Sequence, residues 1–329
     1  MLLQVRDLHV TLPDQGQRLR AVRGLDLEVA AGETLCLVGE SGCGKSMTAL
    51  ALMRLLPRGA KLTAAQLSVS ETDLTKVSER KLSALRGRKI SMIFQEPMTA
   101  LNPVFTIGDQ LRAVYRRHTG ASNQLAQARA IEVLESVGLT NAAVRLGQFP
   151  HQLSGGLRQR VLIAMALMCE PEMIICDEPT TALDVTTQAQ ILRILKDAQE
   201  KRKMGMIFIT HDLGVVARIA DRVAVMYAGR IVEHGPRAPV LQNPTHPYTR
   251  GLIASVPRPK DTAGQRSRLE SIPGNVPAFH HEDQRCPFLS RCPKRMEICA
   301  REAPPRRTPA SGQQVFCHLP IDQQEVPTI

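Results

Sequence analysis

Tryptophan is absent from this chain, and aromatic residues of all kinds make up only 3% of it. Proteins that grip single-stranded nucleic acid stack its bases on aromatic rings. The net charge of +11 therefore reads as a scattered basic surface, or as affinity for an acidic lipid surface, rather than as a nucleic-acid footprint. Long apolar runs are also missing. The longest, Val161–Cys169, is nine residues, whereas a membrane-spanning helix needs about 20. Met1–Asp7 holds too few apolar residues for a secretion signal. These absences predict a chain that stays in the cytoplasm and does not cross a bilayer. What is present is the composition of an ordinary globular protein: 329 residues, 43% hydrophobic and 22% charged, enough for a full core and two domains.

Residues 1 to about 235 alternate between strand and helix patterns. Leu2–Leu12 alternates apolar and polar residues, as an exposed antiparallel strand does. Thr34–Val38 reads as a short buried strand, followed by a glycine-rich loop and a helix through Leu56. Lys89–Phe94, Met173–Asp177, Met206–Thr210 and Arg222–Met226 are apolar runs of the kind found in buried parallel strands, and Thr187–Lys203 reads as a connecting helix. The order implies an α/β fold with a parallel sheet, interrupted by a helical stretch at about 105–170. After residue 235 the pattern changes. Most of the 22 prolines fall there and long periodic segments stop, which predicts a small irregular appendix that needs a staple.

Gly39-Glu40-Ser41-Gly42-Cys43-Gly44-Lys45-Ser46 fits the phosphate-binding pattern G-x-x-x-x-G-K-[ST], with a strand before it and a helix after it. The glycines let backbone N–H groups converge on phosphate oxygens, and the helix N-terminus adds positive potential. Lys45 is expected to meet the β- and γ-phosphates, and Ser46 to ligate Mg²⁺. Met173–Glu178 supplies a second element: a buried strand that delivers Asp177 toward Mg²⁺ and Glu178 as general base for the attacking water.

Between these lies Leu153-Ser154-Gly155-Gly156-Leu157-Arg158-Gln159-Arg160. With it the chain resembles the ABC ATPase family, whose LSGGQ signature closes over the ATP held by a partner subunit. Leu157 departs from the family's glutamine. The resemblance implies that Ser154, Gly155 and Gly156 present N–H groups to a γ-phosphate in trans. It implies that Gln95 reaches Mg²⁺ and water from a Q-loop, that Asp184 of Ala182-Leu183-Asp184 communicates across a dimer, and that His211 is the switch histidine. The family's adenine-stacking ring is missing. Leu12 occupies the aligned place and no aromatic residue precedes Phe94, so adenine contact is expected to be weaker, to be aliphatic or to come from Arg18 or Arg20.

Phe94–Pro103 and His246–Leu252 are similar to segments of the peptide and nickel importer branch, and within it to the ATPase subunits of dipeptide importers. The resemblance implies an ABC-type P-loop nucleotide-binding domain over 1–235, with an antiparallel β subdomain and a helical subdomain at about 105–170. A small irregular Cys-bearing C-terminal extension follows over 236–329. It further implies an ATP hydrolase that energises import of di- or oligopeptides and pairs with a second ABC ATPase subunit. Two transmembrane permease subunits and an extracytoplasmic peptide-binding protein complete the transporter, and the chain sits peripherally on the cytoplasmic face of the inner membrane. An importer of nickel or a metallophore would share every motor motif. A non-transport ATPase regulator with an iron–sulfur module is the reading from another class.

Of eight cysteines, Cys36, Cys43, Cys169 and Cys176 read as buried or inert thiols. Cys286, Cys292, Cys299 and Cys317 form a separate C-x5-C-x6-C-x17-C set. Disulfides do not suit a reducing compartment, and structural zinc prefers tight C-x2–4-C hairpins. Proline follows Cys286 and Cys292, as it follows some iron–sulfur ligands. Seven Lys or Arg residues against Glu297 and Glu302 in 285–307 would offset the charge of a thiolate-ligated cluster. The importer resemblance also points to a [4Fe–4S] cluster, with zinc or no metal as the alternatives.

Overall fold

A computed structural model of the chain describes residues 1–95, 100–181, 183–256, 271–309 and 312–320. Residues 96–99 of the Q-loop segment and Ala182 of the D-loop segment lie outside them. The fold is α/β, and it divides into two compact units that interleave along the chain. One comprises Met1–Gln4, Leu27–Thr34 and Gln66–Ile209; the other comprises Val5–Asp26, Leu35–Ala65 and Thr210–Ile329.

In the first unit, strands Ile90–Ile93, Met173–Asp177 and Gly205–Thr210 pair in parallel, with Ile90 opposite Met173 and Met173 opposite Gly205. Every residue of these strands is buried. That burial on both faces is why the runs are continuously apolar rather than alternating. The helical stretch holds Ile107–Thr119, Asn123–Ser136, Ala142–Arg145 and Gly155–Leu167. Its boundaries are set by side chains that satisfy the unpaired N–H groups of a first turn. Thr106 and Asp109 form a reciprocal capping box. Ser122 caps the second helix, and Gly120, with φ of 70°, ends the first. Helix Val185–Arg202 starts two residues earlier than the sequence predicts because Asp184 accepts from the Thr187 N–H at 2.9 Å.

In the second unit, Leu35–Val38 runs parallel to Arg222–Val225. Strand Arg222–Tyr227 turns back antiparallel into Arg230–Pro236. The tail adds to that edge: Gln314–Phe316 pairs with Arg230–Pro236, and Arg306–Arg307 pairs with Gln314–Phe316. Strands Leu3–Asp14 and Gln17–Val29 are hydrogen-bonded neighbours. The predicted alternation in Leu3–Asp14 changes phase: Leu3 and Val5 are buried, then Leu8 and Val10. The shift falls at Asp7, whose φ is 49° and whose N–H bonds to the Asp26 carboxylate. An extra residue at that point returns the following side chains to the core side, as a β-bulge does. Helix Lys45–Leu52 ends four residues before the sequence suggests, with Met53 as cap and Arg54 at φ 51°. Among the described residues, no helix is long and apolar enough to cross a membrane.

Candidate active site

The phosphate loop belongs to the second unit and follows the buried strand end at Val38. Two glycines in it are dictated by close packing. A Cβ on Gly39 would stand 2.3 Å from the Met226 carbonyl oxygen. One on Gly44 would stand 2.4 Å from the Ala21 carbonyl oxygen, at a φ of 107° that disfavours any side chain. Gly44 opens helix Lys45–Leu52, and the positive end of a helix attracts an anion. Lys45 is buried, and its ammonium donates to the carbonyls of Gly39 (2.7 Å) and Glu40 (2.9 Å). Ser41 and Gly42 are exposed at the tip, and Ser46 is half-buried. Burial pushes the Cys43 thiol up, against the pull of Lys45 beside it, so it is a neutral lining residue. His211, exposed at the end of Gly205–Thr210, also belongs to this unit. Its neighbour Asp212 accepts from the Gly214 N–H at 2.8 Å and so caps the next helix.

The first unit holds the acidic residues. Asp177 ends its strand 4% exposed. Glu178 follows in a left-handed backbone conformation, φ 47°, with its N–H bonded to the Ile209 carbonyl at 3.0 Å. That conformation is uncommon for a residue with a side chain and collects at functional sites. It turns the carboxylate toward Gln95, whose amide donates to Oε2 at 3.3 Å, while the Thr181 hydroxyl donates to the same oxygen at 3.0 Å. Gln95 and Glu178, 83 residues apart, are thus brought together. Such a pair can hold a water between an amide and a carboxylate and take its proton.

Ser154 caps helix Gly155–Leu167 by backbone geometry, and its hydroxyl makes no cap hydrogen bond. A Cβ on Gly155 would meet nothing within 4 Å, whereas one on Gly156 would stand 2.8 Å from the Thr187 methyl carbon. Gly156 is therefore a packing glycine, and Gly155 leaves open space. Leu157 is half-buried on this helix. Asp184 is exposed and occupied as a cap; the Thr187 N–H and hydroxyl hold its carboxyl below the usual range.

Near the first strands, Leu12 is half-buried. Arg18 donates to the Gly59 carbonyl at 2.9 Å and Arg20 pairs with Glu282 at 2.9 Å. The aromatic ring at this hairpin comes from the tail: Phe279 lies 3.7 Å beneath the Arg23 guanidinium, and its carbonyl accepts from the Arg20 N–H.

Cys286, Cys292, Cys299 and Cys317 all line one small cavity of about 10 Å³, with His246, Phe288 and His318 around them. The Cys286 N–H donates to the Cys299 carbonyl at 2.9 Å. Burial raises the thiols of Cys286 (to about 12), Cys292 and Cys317, and neighbouring thiols add to the shift. Among the described residues, no three His, Cys, Asp or Glu side chains stand close enough together to hold one metal ion. The four sulfurs thus surround a shared space without the tight spacing that a single zinc ion imposes. The arginines beside them are partly occupied elsewhere: Arg285 pairs with Asp283, Arg301 with Glu297 and Arg291 with Glu40.

A phosphate loop on a buried strand, a strand-end Asp-Glu pair and a glycine-rich helix start define a P-loop ATPase of the ABC type. The family described as ABC transporter matches residues 22–181, and the oligopeptide/dipeptide transporter C-terminal region matches residues 232–299. The dipeptide transport ATP-binding protein DppD of Bacillus subtilis is 47% identical over 98% of this chain and 96% of its own length. The DppD of Escherichia coli is 42% identical over 100% and 99%. Among solved structures, the dimeric ATP-binding cassette MJ0796 bound to ADP and Pi is 26% identical, with a TM-score of 0.64 over 71% of this chain and 98% of that one. The chain belongs to the ABC transporter ATP-binding family, on its peptide-importer branch. It is an ATP hydrolase of that family.

Proposed function

We propose that this chain binds and hydrolyses ATP to energise the import of di- or oligopeptides. The observation that carries the reading is the full-length likeness to dipeptide transport ATP-binding proteins, including the region after the cassette. Residues 1–235 form the ATPase domain and 236–329 the importer-type extension. The chain works peripherally at the cytoplasmic face of the membrane, with a second ATPase subunit, two permease subunits and an extracytoplasmic peptide-binding protein.

In the proposed reaction, the N–H groups of Gly39–Ser46 and the Lys45 ammonium take the ATP phosphates. Ser46, Asp177 and Gln95 are the residues that would hold magnesium, whose charge offsets that of the β- and γ-phosphate oxygens. Glu178 and Gln95 orient a water toward the γ-phosphorus. The bond from phosphorus to the leaving oxygen breaks, a bond to the water oxygen forms, and Glu178 takes the water's proton. His211 contacts the γ-phosphate, and Ser154, Gly155 and Gly156 serve the ATP of the partner subunit. Asp184 relays between the two sites. Glu178→Gln keeps ATP binding and lowers hydrolysis at this site about 10²–10⁴-fold, measured as phosphate release by the transporter purified from membranes. Unchanged release would remove Glu178 from this role. Copurification of permease subunits tests the assembly.

Cys286, Cys292, Cys299 and Cys317 are proposed to hold an iron–sulfur cluster of the [4Fe–4S] type, which would cross-link a segment short of regular structure. Their convergence on one cavity supports this reading. Anaerobic purification followed by iron, sulfide and zinc assays tests it. Iron and sulfide in equal amounts are expected, and zinc in their place would overturn it.

A further inference from the structure

Glu40, the first variable residue of the phosphate loop, is held at three points. Its carboxylate takes both arms of the Arg291 guanidinium, at 2.6 and 2.9 Å. Its N–H donates to the Tyr248 hydroxyl at 2.9 Å. Its carbonyl accepts from the Lys45 ammonium at 2.9 Å. Two of the three partners lie in the tail, and Arg291 is 251 residues from Glu40 in the chain.

Arg291 is itself fixed. Its side chain is 4% exposed. Nε donates to the Pro273 carbonyl at 2.8 Å and Nη2 to the Ile272 carbonyl at 3.1 Å, while Nη1 lies 3.4 Å from the Tyr227 hydroxyl. A guanidinium forks onto a carboxylate in one plane, so this pair constrains orientation as well as distance. The rings of Tyr227, Tyr248 and Phe288 pack against one another at centroid separations of 4.6 to 5.4 Å. The Arg291 guanidinium stands over the Tyr227 ring of this group, 5.7 Å from its centroid. The bonds to Ile272 and Pro273 anchor the arginine in its own segment. The Glu40 fork is what joins that segment to the phosphate loop.

We infer that Arg291 is a positioning residue for ATP binding: through Glu40 and the Glu40–Lys45 contact it holds the phosphate loop in its anion-cradling form. A loop already ordered loses less conformational freedom on binding, so the clamp tightens ATP. It acts without touching the nucleotide, through the half-buried Glu40 carboxylate, and the buried guanidinium would lose its ionic partner without it. Arg291 immediately precedes Cys292 and follows Phe288 by three residues, so the fold of the cysteine segment and the order of the phosphate loop are linked in one piece of backbone.

The inference rests on the phosphate role of Gly39–Ser46, and the experiment separates the two. Equilibrium binding of Mg-ATP to the full-length chain is measured by calorimetry, with thermal melting alongside. Arg291→Ala is expected to weaken binding about tenfold. Arg291→Lys should recover part of this, because it restores charge without the fork. Glu40→Gln combined with Arg291→Ala should be no weaker than the worse single variant, since both remove one contact. Arg285→Ala, which breaks an exposed pair in the same tail, should bind as the native chain does. A role confined to fold stability would lower the melting temperature and leave affinity unchanged; that result overturns the clamp, as do additive losses in the double variant. Should Arg291→Ala fail to fold, Glu40→Gln and Arg291→Lys carry the test, and native affinity in both overturns it. Native affinity in Lys45→Ala would instead overturn the phosphate reading.

Discussion

The chain carries two glycine-rich turns that each lead into a helix, Gly39–Gly44 and Ser154–Gly156, and they are supported in opposite ways. The first is surrounded. Backbone carbonyls of Met226 and Ala21 press on two of its glycines, its lysine is buried, and two tail residues fix Glu40. The second is open. Ser154 and Gly155 are exposed, and of its two glycines Gly156 lacks room for a Cβ, against Thr187, while Gly155 has it. Both present the N–H groups of a first helical turn, the same chemistry for an anion. The first is braced by its own chain. The second has the openness that the proposed role toward a second subunit's ATP requires.

The largest expected difference comes from Gly44→Ala. The added methyl meets a carbonyl oxygen and must adopt φ 107°, a strain on the order of 1–3 kcal/mol. Calorimetry should show loss of ATP binding at concentrations that saturate the native chain. Gly156→Ala should be milder, because the obstacle is the Thr187 methyl rather than backbone; thermal melting should show a loss of roughly 1 kcal/mol or less. Gly155→Ala should melt as the native chain does and bind ATP normally, while hydrolysis in the assembled transporter falls. Equal destabilisation by Gly44→Ala and Gly155→Ala would erase the contrast.

The smallest effect is acid dependence at the open turn. Asp184 caps the helix that carries Thr187, and its folded carboxyl titrates below the ordinary range. Its contribution is therefore complete above the unfolded value near 3.9 and is lost as pH falls through the lower folded value. Denaturant midpoints measured from pH 6 to pH 3 should fall slightly more steeply for the native chain than for Asp184→Asn, which keeps an acceptor without a titrating charge.

Much of this was legible in the sequence. The parallel strands, the phosphate loop and the helical stretch stand where the apolar runs and motif spacing placed them. Strand Gln17–Val29 was not read, because Val22 and Arg23 break in its middle the period of two kept by Leu19, Ala21, Leu25, Leu27 and Val29. Arg291 was read as one positive charge among several beside the cysteines, and its partner proved to be Glu40 in the phosphate loop. Phe279 beneath Arg23 was equally out of view.

Local order explains what the sequence settled by itself. Glycine freedom, strand burial and the first turn of a helix depend on neighbours within a few residues, so a motif of eight residues specifies its own phosphate chemistry. Only the tertiary structure decided which carboxylate faces Gln95, which glycine has space around it, that four cysteines share one cavity and that Arg291 grips Glu40. These relations join residues from 6 to 251 positions apart, and the long ones exist only because packing of the whole unit brings the two backbones together.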